Sequence, residues 1–297
     1  MAQQGACYIG TSGWSYPAGE GTWKGFFYPP GTKHELDFYS RFFDTVEVNS
    51  SFYRPPDPAY VLNWAQTVPP DFRFAVKLWQ KFTHPGMFKR ATGEAAAIET
   101  EDVDVFRRCL EPLAGAGKLG ALLAQFPPSF RNEPWSRHII EAVANAFREY
   151  PLAVELRHRS WSDDRTIPAF LRERNIAWVN IDEPKFESSV AADIPLTADF
   201  AYFRFHGRNA REWWTGNGET RYRYLYDNEE IEELAARMRP KLGNVQNMFA
   251  FFNNHWQAYA PRNANDLKKA LQMPYRQLQM QFDFPARERL DAEGDAA

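Results

Sequence analysis

The chain has 297 residues, 44% of them hydrophobic, and a formal net charge of −3 from 35 basic and 38 acidic side chains. This length allows one large domain or two small ones, and the charge excludes a globally basic nucleic-acid binder, although not a local basic patch. Two cysteines, Cys7 and Cys109, cannot form a disulfide framework or a thiolate zinc site, so we expect a reducing compartment, the cytoplasm.

Segments typical of strands and of helices alternate along the chain. In chain order the sequence predicts a strand at 8–14, a helix at 35–43, a strand at 45–54, a helix at 55–70, a strand at 71–79, a helix at 101–113, a strand at 120–126, a helix at 133–149, a strand at 152–157, a helix at 167–174, strands at 177–182 and 201–206, a helix at 229–238, a strand at 247–254 and a helix at 263–271. Alternating or continuous apolar runs indicate the strands, and apolar residues three or four positions apart indicate the helices. Residues 183–199 carry no helical pattern, so the sixth unit is irregular.

The order of these elements predicts the fold. Eight strands that alternate with helices, without a composition break that would mark a linker, are typical of a (β/α)8 TIM barrel. An open doubly wound sheet is the alternative, but the glycine-rich dinucleotide fingerprint expected after its first strand is missing. We therefore predict a single barrel domain over 1–285 and a charged, flexible tail over 286–297.

Each predicted strand ends in or near a polar side chain. These residues are Ser12, Glu47, Asn49, Lys77, Gln125, Glu155, Arg157, Asp182, Arg204, His206, Asn253 and Asn254. In a TIM barrel the C-terminal strand ends form the active site, so we expect these side chains to converge on one mouth. A ligand site explains this pattern better than packing does.

The charges in this set indicate an anionic ligand and acid-base chemistry. Arg157, Arg204 and Lys77 are cations suited to a phosphate or carboxylate group. The candidate catalytic residues are Glu47, Glu155, Asp182 and His206. Neighbouring charges can tune the pKa of such groups for proton transfer. The alternative is that Glu155 with Arg157, or Glu47 with Lys77, forms a purely structural pair.

The same carboxylates and histidine are also potential ligands for a divalent metal ion. We predict no metal, because the interleaved arginine and lysine side chains would repel the ion and only one histidine lies at a strand end. We predict no other cofactor.

Aromatic residues make up 16% of the chain, and several follow strand ends. They are Trp14, Trp23, Phe52, Tyr53, Trp79, Trp161, Trp213, Trp214 and Trp256. Stacking on a sugar ring or a base is the functional interpretation, and Trp14, Tyr53 and Trp214 are our candidates for it. Core packing is the alternative for any single aromatic residue. The arginine-, glycine- and aromatic-rich segment 211–226 resembles a lid over the mouth.

Seven stretches are similar to motifs of the YecE-like family, also known as domain of unknown function 72. They are Gly10–Tyr16, Phe38–Ser40, Thr45–Arg54, Glu155–Arg157, Phe203–Arg208, Tyr224–Tyr226 and Phe251–Asn254. The resemblance implies a TIM barrel related in architecture to sugar isomerases and abasic-site endonucleases, without a defined reaction. Arg208, within one of these stretches, joins the predicted ligand-binding residues. The chain lacks the several strand-end histidines that zinc-dependent endonucleases use.

We therefore expect an enzyme that acts by acid-base chemistry on a small anionic ligand, such as a phosphorylated sugar or a nucleotide-like molecule. Hydrolysis, isomerisation and elimination all fit these residues. One alternative is a nucleic-acid-processing, endonuclease-like protein, and another is a non-catalytic metabolite-binding protein. We expect no membrane association, because the N-terminus has no leader pattern and no segment approaches the roughly 20 apolar residues that span a bilayer.

Overall fold

A computed structural model describes residues 5–218 and 220–278, so the predicted tail at 286–297 lies outside the described residues. The strands are β1 (Ala6–Ser12), β2 (Thr45–Val48), β3 (Arg73–Lys77), β4 (Leu119–Gln125), β5 (Leu152–Glu155), β6 (Ile176–Trp178), β7 (Asn180–Asp182), β8 (Phe200–Phe205) and β9 (Asn247–Phe252). They pair in parallel in the order β6-β5-β4-β3-β2-β1-β9-β8-β7. The result is a nearly closed barrel surrounded by helices, so the predicted TIM-barrel-like fold is confirmed.

The predicted strand at 177–182 is one bent segment that joins the two ends of this strand order. It divides at Val179 into β6, which pairs with β5, and β7, which pairs with β8. The N–H of Val179 donates to the carbonyl oxygen of Val154 at 3.0 Å, so the bend keeps a hydrogen bond. One segment thus contributes a strand to each end of the strand order, next to β5 and next to β8.

The first and last strands within the described residues are neighbours. β1 pairs with β9 at six positions, from Ala6 opposite Asn247 to Thr11 opposite Phe252, but with β2 at only two. The polar residues at the ends of β1, β2, β8 and β9 therefore lie at adjacent points of one rim.

Helices cover the outside of the barrel. They are α1 (Glu35–Ser40), α2 (Pro58–Thr67), α3 (Gln80–Thr83), α4 (Pro85–Thr92), α5 (Thr100–Gly115), α6 (Pro134–Ala146), α7 (Arg159–Ser162), α8 (Ile167–Arg172), α9 (Asn228–Leu242) and α10 (Tyr259–Ala270). The helices α3, α4 and α7 were not predicted; α3 and α7 have four residues each, too few for an apolar period to show. Residues 183–199 form no helix, as predicted. Within the described residues no helix has the length and apolar character needed to cross a membrane.

Local sequence fixes where α9 begins. The carboxylate of Asp227 accepts a hydrogen bond from the N–H of Glu230 at 2.9 Å, and the Glu230 carboxylate accepts one from the N–H of Asp227 at 3.0 Å. This capping box satisfies two N–H groups that the helix leaves free. Ile231, Leu234 and Met238 then form a buried face, which anchors the loop that enters α9 from the barrel mouth.

The predicted strand at 45–54 is shorter than expected. It ends at Val48, and Ser50–Phe52 form a 3-10 turn instead. The hydroxyl of Ser51 contacts the carbonyl oxygens of Val48 at 3.0 Å and of Lys77 at 2.6 Å, which holds this turn against the end of β3. The turn brings the residues after β2 to the mouth of the barrel.

Gly10 occupies a position in β1 where a side chain has no room. A Cβ atom there would overlap the carbonyl oxygen of Thr45 and lie 2.8 Å from the hydroxyl of Tyr39. We expect Gly10→Ala to lower the free energy of unfolding by about 1–3 kcal/mol through overpacking, measured by urea denaturation. Gly86→Ala is the control, because its nearest neighbour is the flexible end of Arg90 at 3.8 Å. Equal stability of the two variants would contradict this prediction.

Candidate functional site

A cavity of about 400 Å³ opens at the C-terminal ends of the strands. The predicted residues that line it are Trp14, Asn49, Tyr53, Lys77, Gln125, Arg157, Arg204 and Asn253. Four more predicted residues, Ser12, Glu47, Glu155 and His206, hydrogen-bond with one another or with these lining residues from the buried side. The structure therefore brings together most of the residues that the strand-end pattern selected.

One guanidinium joins the two predicted catalytic glutamates. Nη2 of Arg204 donates to Oε1 of Glu47 at 2.8 Å, and Nη1 donates to Oε2 of Glu155 at 2.6 Å. Both carboxylates are fully buried, and Arg204 is 1% exposed. Although burial opposes the charged form, the two carboxylates raise the pKa of Arg204 above its usual value. This ion triad cross-links β2, β5 and β8 inside the barrel.

The remaining hydrogen bonds of Glu47 also go to the protein. The hydroxyl of Ser12 donates to Oε1 at 2.8 Å, and the hydroxyl of Tyr202 donates to Oε2 at 2.7 Å. Together with Arg204, these groups give the carboxylate three donors from two strands, β1 and β8. Glu47 is therefore arranged as a buried counter-ion rather than as a group that faces a ligand.

The carboxylate of Glu155 also accepts its hydrogen bonds from protein groups. Its Oε1 accepts a hydrogen bond from Nε of Arg157 at 2.6 Å, and Nη1 of Arg157 lies 3.2 Å from the carboxylate of Glu183. Burial alone would raise the pKa of Glu155, but Arg157 and Arg204 outweigh it and hold this pKa well below its usual value. Glu155 is thus an ionised carboxylate at neutral pH, which makes it a poor proton donor.

His206 is held in a neutral form. Its Nε2 lies 3.1 Å from Nη2 of Arg157, and its Nδ1 lies 3.0 Å from the side-chain amide of Asn253. Because a guanidinium can only donate, Nε2 accepts the hydrogen bond from Arg157. Burial and the charges of Arg157 and Arg204 lower the pKa of His206 to about 3.

Lys77 differs from the other charged residues of the site. It lines the cavity at the end of β3, and within residues 5–218 and 220–278 its Nζ has no hydrogen-bond or ion-pair partner. Nζ lies 4.0 Å from the centroid of the Phe52 ring, a cation–π contact. Burial lowers the pKa of Lys77 to about 7, and the charge of Arg204 acts in the same direction. Near neutral pH the amine therefore alternates between its charged and neutral forms.

Two side-chain amides in the cavity are available to a ligand. Gln125 lies at the end of β4, and its amide makes no hydrogen bond to the part of the chain that the structure describes. The Oδ1 atom of Asn49 is buried and likewise has no partner there. Because a buried polar atom without a partner is unfavourable, these amides are suited to hydrogen-bond a polar ligand.

Aromatic rings form the walls of the cavity. Tyr16 stacks on the imidazole of His255, with ring centroids 4.5 Å apart and planes inclined by 11°. Trp14 contacts the edge of Trp64 at 5.3 Å between centroids, and Tyr53 is 69% exposed at the rim. These flat apolar surfaces suit a ligand that has a ring or a polyol face. Other aromatic candidates pack in the core: Trp23, Trp161, Trp213 and Trp256.

The segment 211–226 contributes one wall. Gly218 and Tyr222 line the cavity. Trp213 is buried, whereas Trp214 is 59% exposed and is not among the lining residues. The predicted stacking role of Trp214 therefore has no support from its position.

Three further predicted residues lie apart from the cavity. Asp182 accepts two hydrogen bonds from Arg208, both at 3.0 Å, one from the hydroxyl of Tyr226 at 2.8 Å and one from Arg237 at 3.1 Å. Burial alone would raise the pKa of Asp182, but the hydrogen bonds and charge of Arg208 lower it. Asn254 donates its amide to a loop carbonyl oxygen at 2.8 Å. These contacts fasten β7, β9 and α9 to the loop that follows β8.

Seven further cavity residues were not singled out from the sequence. They are Gly13, Ser15, Tyr16, Ser50, Gly218, Tyr222 and His255. All lie in loops or turns beyond the strand ends, where no periodic pattern indicates a direction. The first four fall within the family-like stretches Gly10–Tyr16 and Thr45–Arg54, so that resemblance could have identified them, and Gly218 and Tyr222 belong to the segment 211–226 that was predicted as a lid.

Side chains that could hold a metal ion do not cluster within the described part of the chain. Across the two described ranges, no group of three or more histidine, cysteine, aspartate or glutamate side chains is placed to hold a metal ion. The oxygens of Glu47 and Glu155 are instead directed at protein donors.

Comparisons with known proteins agree with the fold. A family model described as "Protein of unknown function DUF72" matches residues 8–289. The UPF0759 protein YunF of Bacillus subtilis is 29% identical over 284 residues, which cover 90% of this chain and 95% of YunF. The UPF0759 protein YecE of Escherichia coli K12 is 28% identical over 182 residues, which cover 59% of this chain and 58% of YecE.

Solved structures give the same result. A DUF72 family protein from Thermotoga maritima shares 37% identity and superposes with a TM-score of 0.78, covering 90% of this chain and 99% of that one. A DUF72 family protein from Enterococcus faecalis shares 26% identity at a TM-score of 0.79, covering 92% and 98% of the two chains. With a family match that extends from the first strand past the last helix, this chain belongs to the DUF72 family.

Proposed function

We propose that this protein is an enzyme that performs acid-base chemistry on a small, sugar-like molecule bearing a phosphate or carboxylate group, with Lys77 as the proton-transferring residue. The observation that carries the proposal is the position of the Lys77 amine, which lines the cavity without a partner among the described residues. A group that transfers protons must be able to reach the ligand and to exist in both protonation states near the working pH.

The two strand-end glutamates are less suited to this role than the sequence pattern suggested. Glu47 accepts three hydrogen bonds, and Glu155 is paired with two guanidiniums. Removing either carboxylate from its partners to protonate a ligand would leave a charge unpaired in the barrel interior. We therefore assign them the task of holding Arg157 and Arg204 in place.

Arg157 is the group we assign to the acidic part of the ligand. A guanidinium has five N–H donors, and those of Arg157 hydrogen-bond to Glu155 and His206, while Nη1 forms an ion pair with Glu183 at 3.2 Å. The donors that remain can bind a phosphate or carboxylate at the cavity surface. The carboxylates behind Arg157 and Arg204 balance much of their charge, which favours one acidic group over a polyanion.

The cavity walls support a sugar-like ligand. Sugars present apolar C–H faces that pack on aromatic rings and hydroxyl groups that need hydrogen-bond partners. Tyr16, Trp14 and Tyr222 supply the rings, and Gln125 and Asn49 supply the amides. The cysteines Cys7 and Cys109 are both free thiols, which supports a reducing, cytoplasmic setting for this activity.

A ligand panel tests the proposal. We expect phosphorylated pentoses and hexoses or sugar acids to raise the thermal unfolding midpoint, and at least one to be converted when followed by NMR. Gln125→Ala should weaken that binding about 5–10-fold, since one hydrogen bond contributes about 1 kcal/mol. Neutral sugars are the matched ligand control, and Gly86→Ala is the control variant.

Two outcomes would replace this function by an alternative. Stabilisation only by oligonucleotides, with affinity that falls steeply as salt increases, would indicate a nucleic-acid-processing protein. Stabilisation by a sugar acid or sugar phosphate without any turnover would indicate a binding protein.

A further inference from the structure

We infer that Lys77 acts as a covalent nucleophile, forming a Schiff base with an aldehyde or ketone carbon of its ligand, so that the substrate is an open-chain aldose or ketose bearing an acidic group. This inference rests on the proposed function and narrows its substrate class. It depends on the placement of the amine, on its charged surroundings and on the walls around it.

The other enclosed lysines of the described chain have hydrogen-bond or ion-pair partners, whereas Lys77 has neither among the described residues. Lys118 donates to the carbonyl oxygens of Ala65 and Val68 at 2.6 and 2.7 Å. Lys268 is paired with Asp44, and Lys81 with Asp102, at 3.3 and 2.6 Å. An amine whose lone pair and N–H groups are engaged cannot attack a carbonyl carbon, so Lys77 is the amine of this set that is positioned to react.

Burial is the main reason that Lys77 favours its neutral form. The charges of Arg204 and Arg157 act in the same direction, while those of Glu155 and Glu47 favour the ammonium. His84 lies in the turn between α3 and α4, and burial, together with the charge of Lys77, lowers the pKa of this histidine to about 4, so it adds no positive charge at neutral pH. The Phe52 ring favours the ammonium through its cation–π contact. With its pKa lowered to about 7, a large share of Lys77 is neutral and nucleophilic at neutral pH.

The reaction that follows needs no reactant beyond the ligand and one proton from solvent. The lone pair of Nζ attacks the carbonyl carbon, an N–C bond forms, and the π electrons of the C=O bond move to oxygen; a proton then passes from the nitrogen to that oxygen, which gives a neutral carbinolamine. The hydroxyl takes up a proton from solvent, the C–O bond breaks as the nitrogen lone pair forms the C=N bond, and water leaves, giving a protonated imine. The amides of Gln125 and Asn49 line the same cavity and offer donors to the carbonyl and carbinolamine oxygens.

Reductive trapping tests the inference. The full-length protein is incubated at neutral pH with pyridoxal 5′-phosphate, a ring aldehyde that carries one phosphate, or with dihydroxyacetone phosphate, and is then treated with sodium borohydride. We expect one adduct per chain by intact mass, located on Lys77 by peptide mapping. Lys77→Arg should abolish this adduct, whereas the control Lys81→Arg should retain it. Thermal unfolding of both variants checks that they are folded.

The outcomes separate this inference from the proposed function. Labelling of Lys77 no faster than that of Lys81, or an unchanged adduct in folded Lys77→Arg, overturns the Schiff base. If a sugar phosphate is nevertheless converted, and only when Lys77 is present, the acid-base function stands without the covalent step. If folded Lys77→Met converts that sugar phosphate as fast as the wild type, both assignments of Lys77 fail.

Discussion

Arg204→Met is expected to lower the free energy of unfolding by about 3–5 kcal/mol, the range seen when one partner is removed from a buried ion pair. The substitution preserves much of the side-chain volume but leaves Glu47 without a cation and Glu155 with Arg157 alone. Both carboxylates are fully buried, so water cannot replace the lost guanidinium.

The measurement is urea denaturation followed by tryptophan fluorescence, with Arg41→Met as the control. Arg41 pairs with Asp37 on the surface, where both side chains are about half exposed, so its loss should change stability by less than about 0.5 kcal/mol. A second variant, Arg204→Met with Glu47→Gln, should be more stable than Arg204→Met alone, because no carboxylate is then left without a cation. Equal stability of Arg204→Met and Arg41→Met would contradict the assignment of Arg204 as the central cross-link.

Lys77→Met is expected to reduce turnover of a converted sugar phosphate by about 10²–10⁴-fold, the usual contribution of a general acid or base.

The same substitution is expected to raise the free energy of unfolding at mildly acidic pH. The folded pKa of Lys77, about 7, lies below the ordinary value of 10.5, so between these values the unfolded chain binds the proton more tightly. The wild type therefore gains stability as pH rises through this window, and the full penalty is present below about 7.

Replacing Lys77 by methionine removes that penalty. We expect Lys77→Met to be more stable than the wild type at mildly acidic pH, with the difference shrinking as pH approaches 10.5. Loss of the Phe52 contact offsets part of the gain, by about 0.5–2 kcal/mol. Urea denaturation across the pH range measures the trend. Lys81→Met is the control, since Lys81 is paired with Asp102 at 2.6 Å and should keep its activity. A pH-independent difference for Lys77→Met would show that its amine is charged in the fold throughout.

The fold was predictable because each unit carries its own local pattern. Eight apolar runs with intervening helical periods indicate a barrel without any knowledge of contacts. The division of 177–182 at Val179 was not predictable, because it depends on pairing with β5 on one side and β8 on the other. The sequence of 177–182 itself contains no pattern that indicates these two partner strands.

The residues of the candidate site that lie at strand ends were predictable from the sequence, whereas those in loops were not. Lys77, Gln125 and Arg157 lie at or just after strand ends, so the topology alone brings them to one rim. Asp182 satisfies the same rule, but Arg208 and its neighbours draw it into a network behind the rim. His255 reaches the cavity only through the backbone path of the loop after β9, which no apolar period specifies.

The pairing of β1 with β9 has a consequence for synthesis on the ribosome. β1 emerges before the other described strands, yet six of its backbone positions are matched to β9 and only two to β2. Until residues 247–252 have been translated, one side of β1 has no permanent neighbour, and an unpaired strand edge invites aggregation. The barrel is thus completed only after β9 has been translated, and nascent chains that stall before β9 are candidates for chaperone capture.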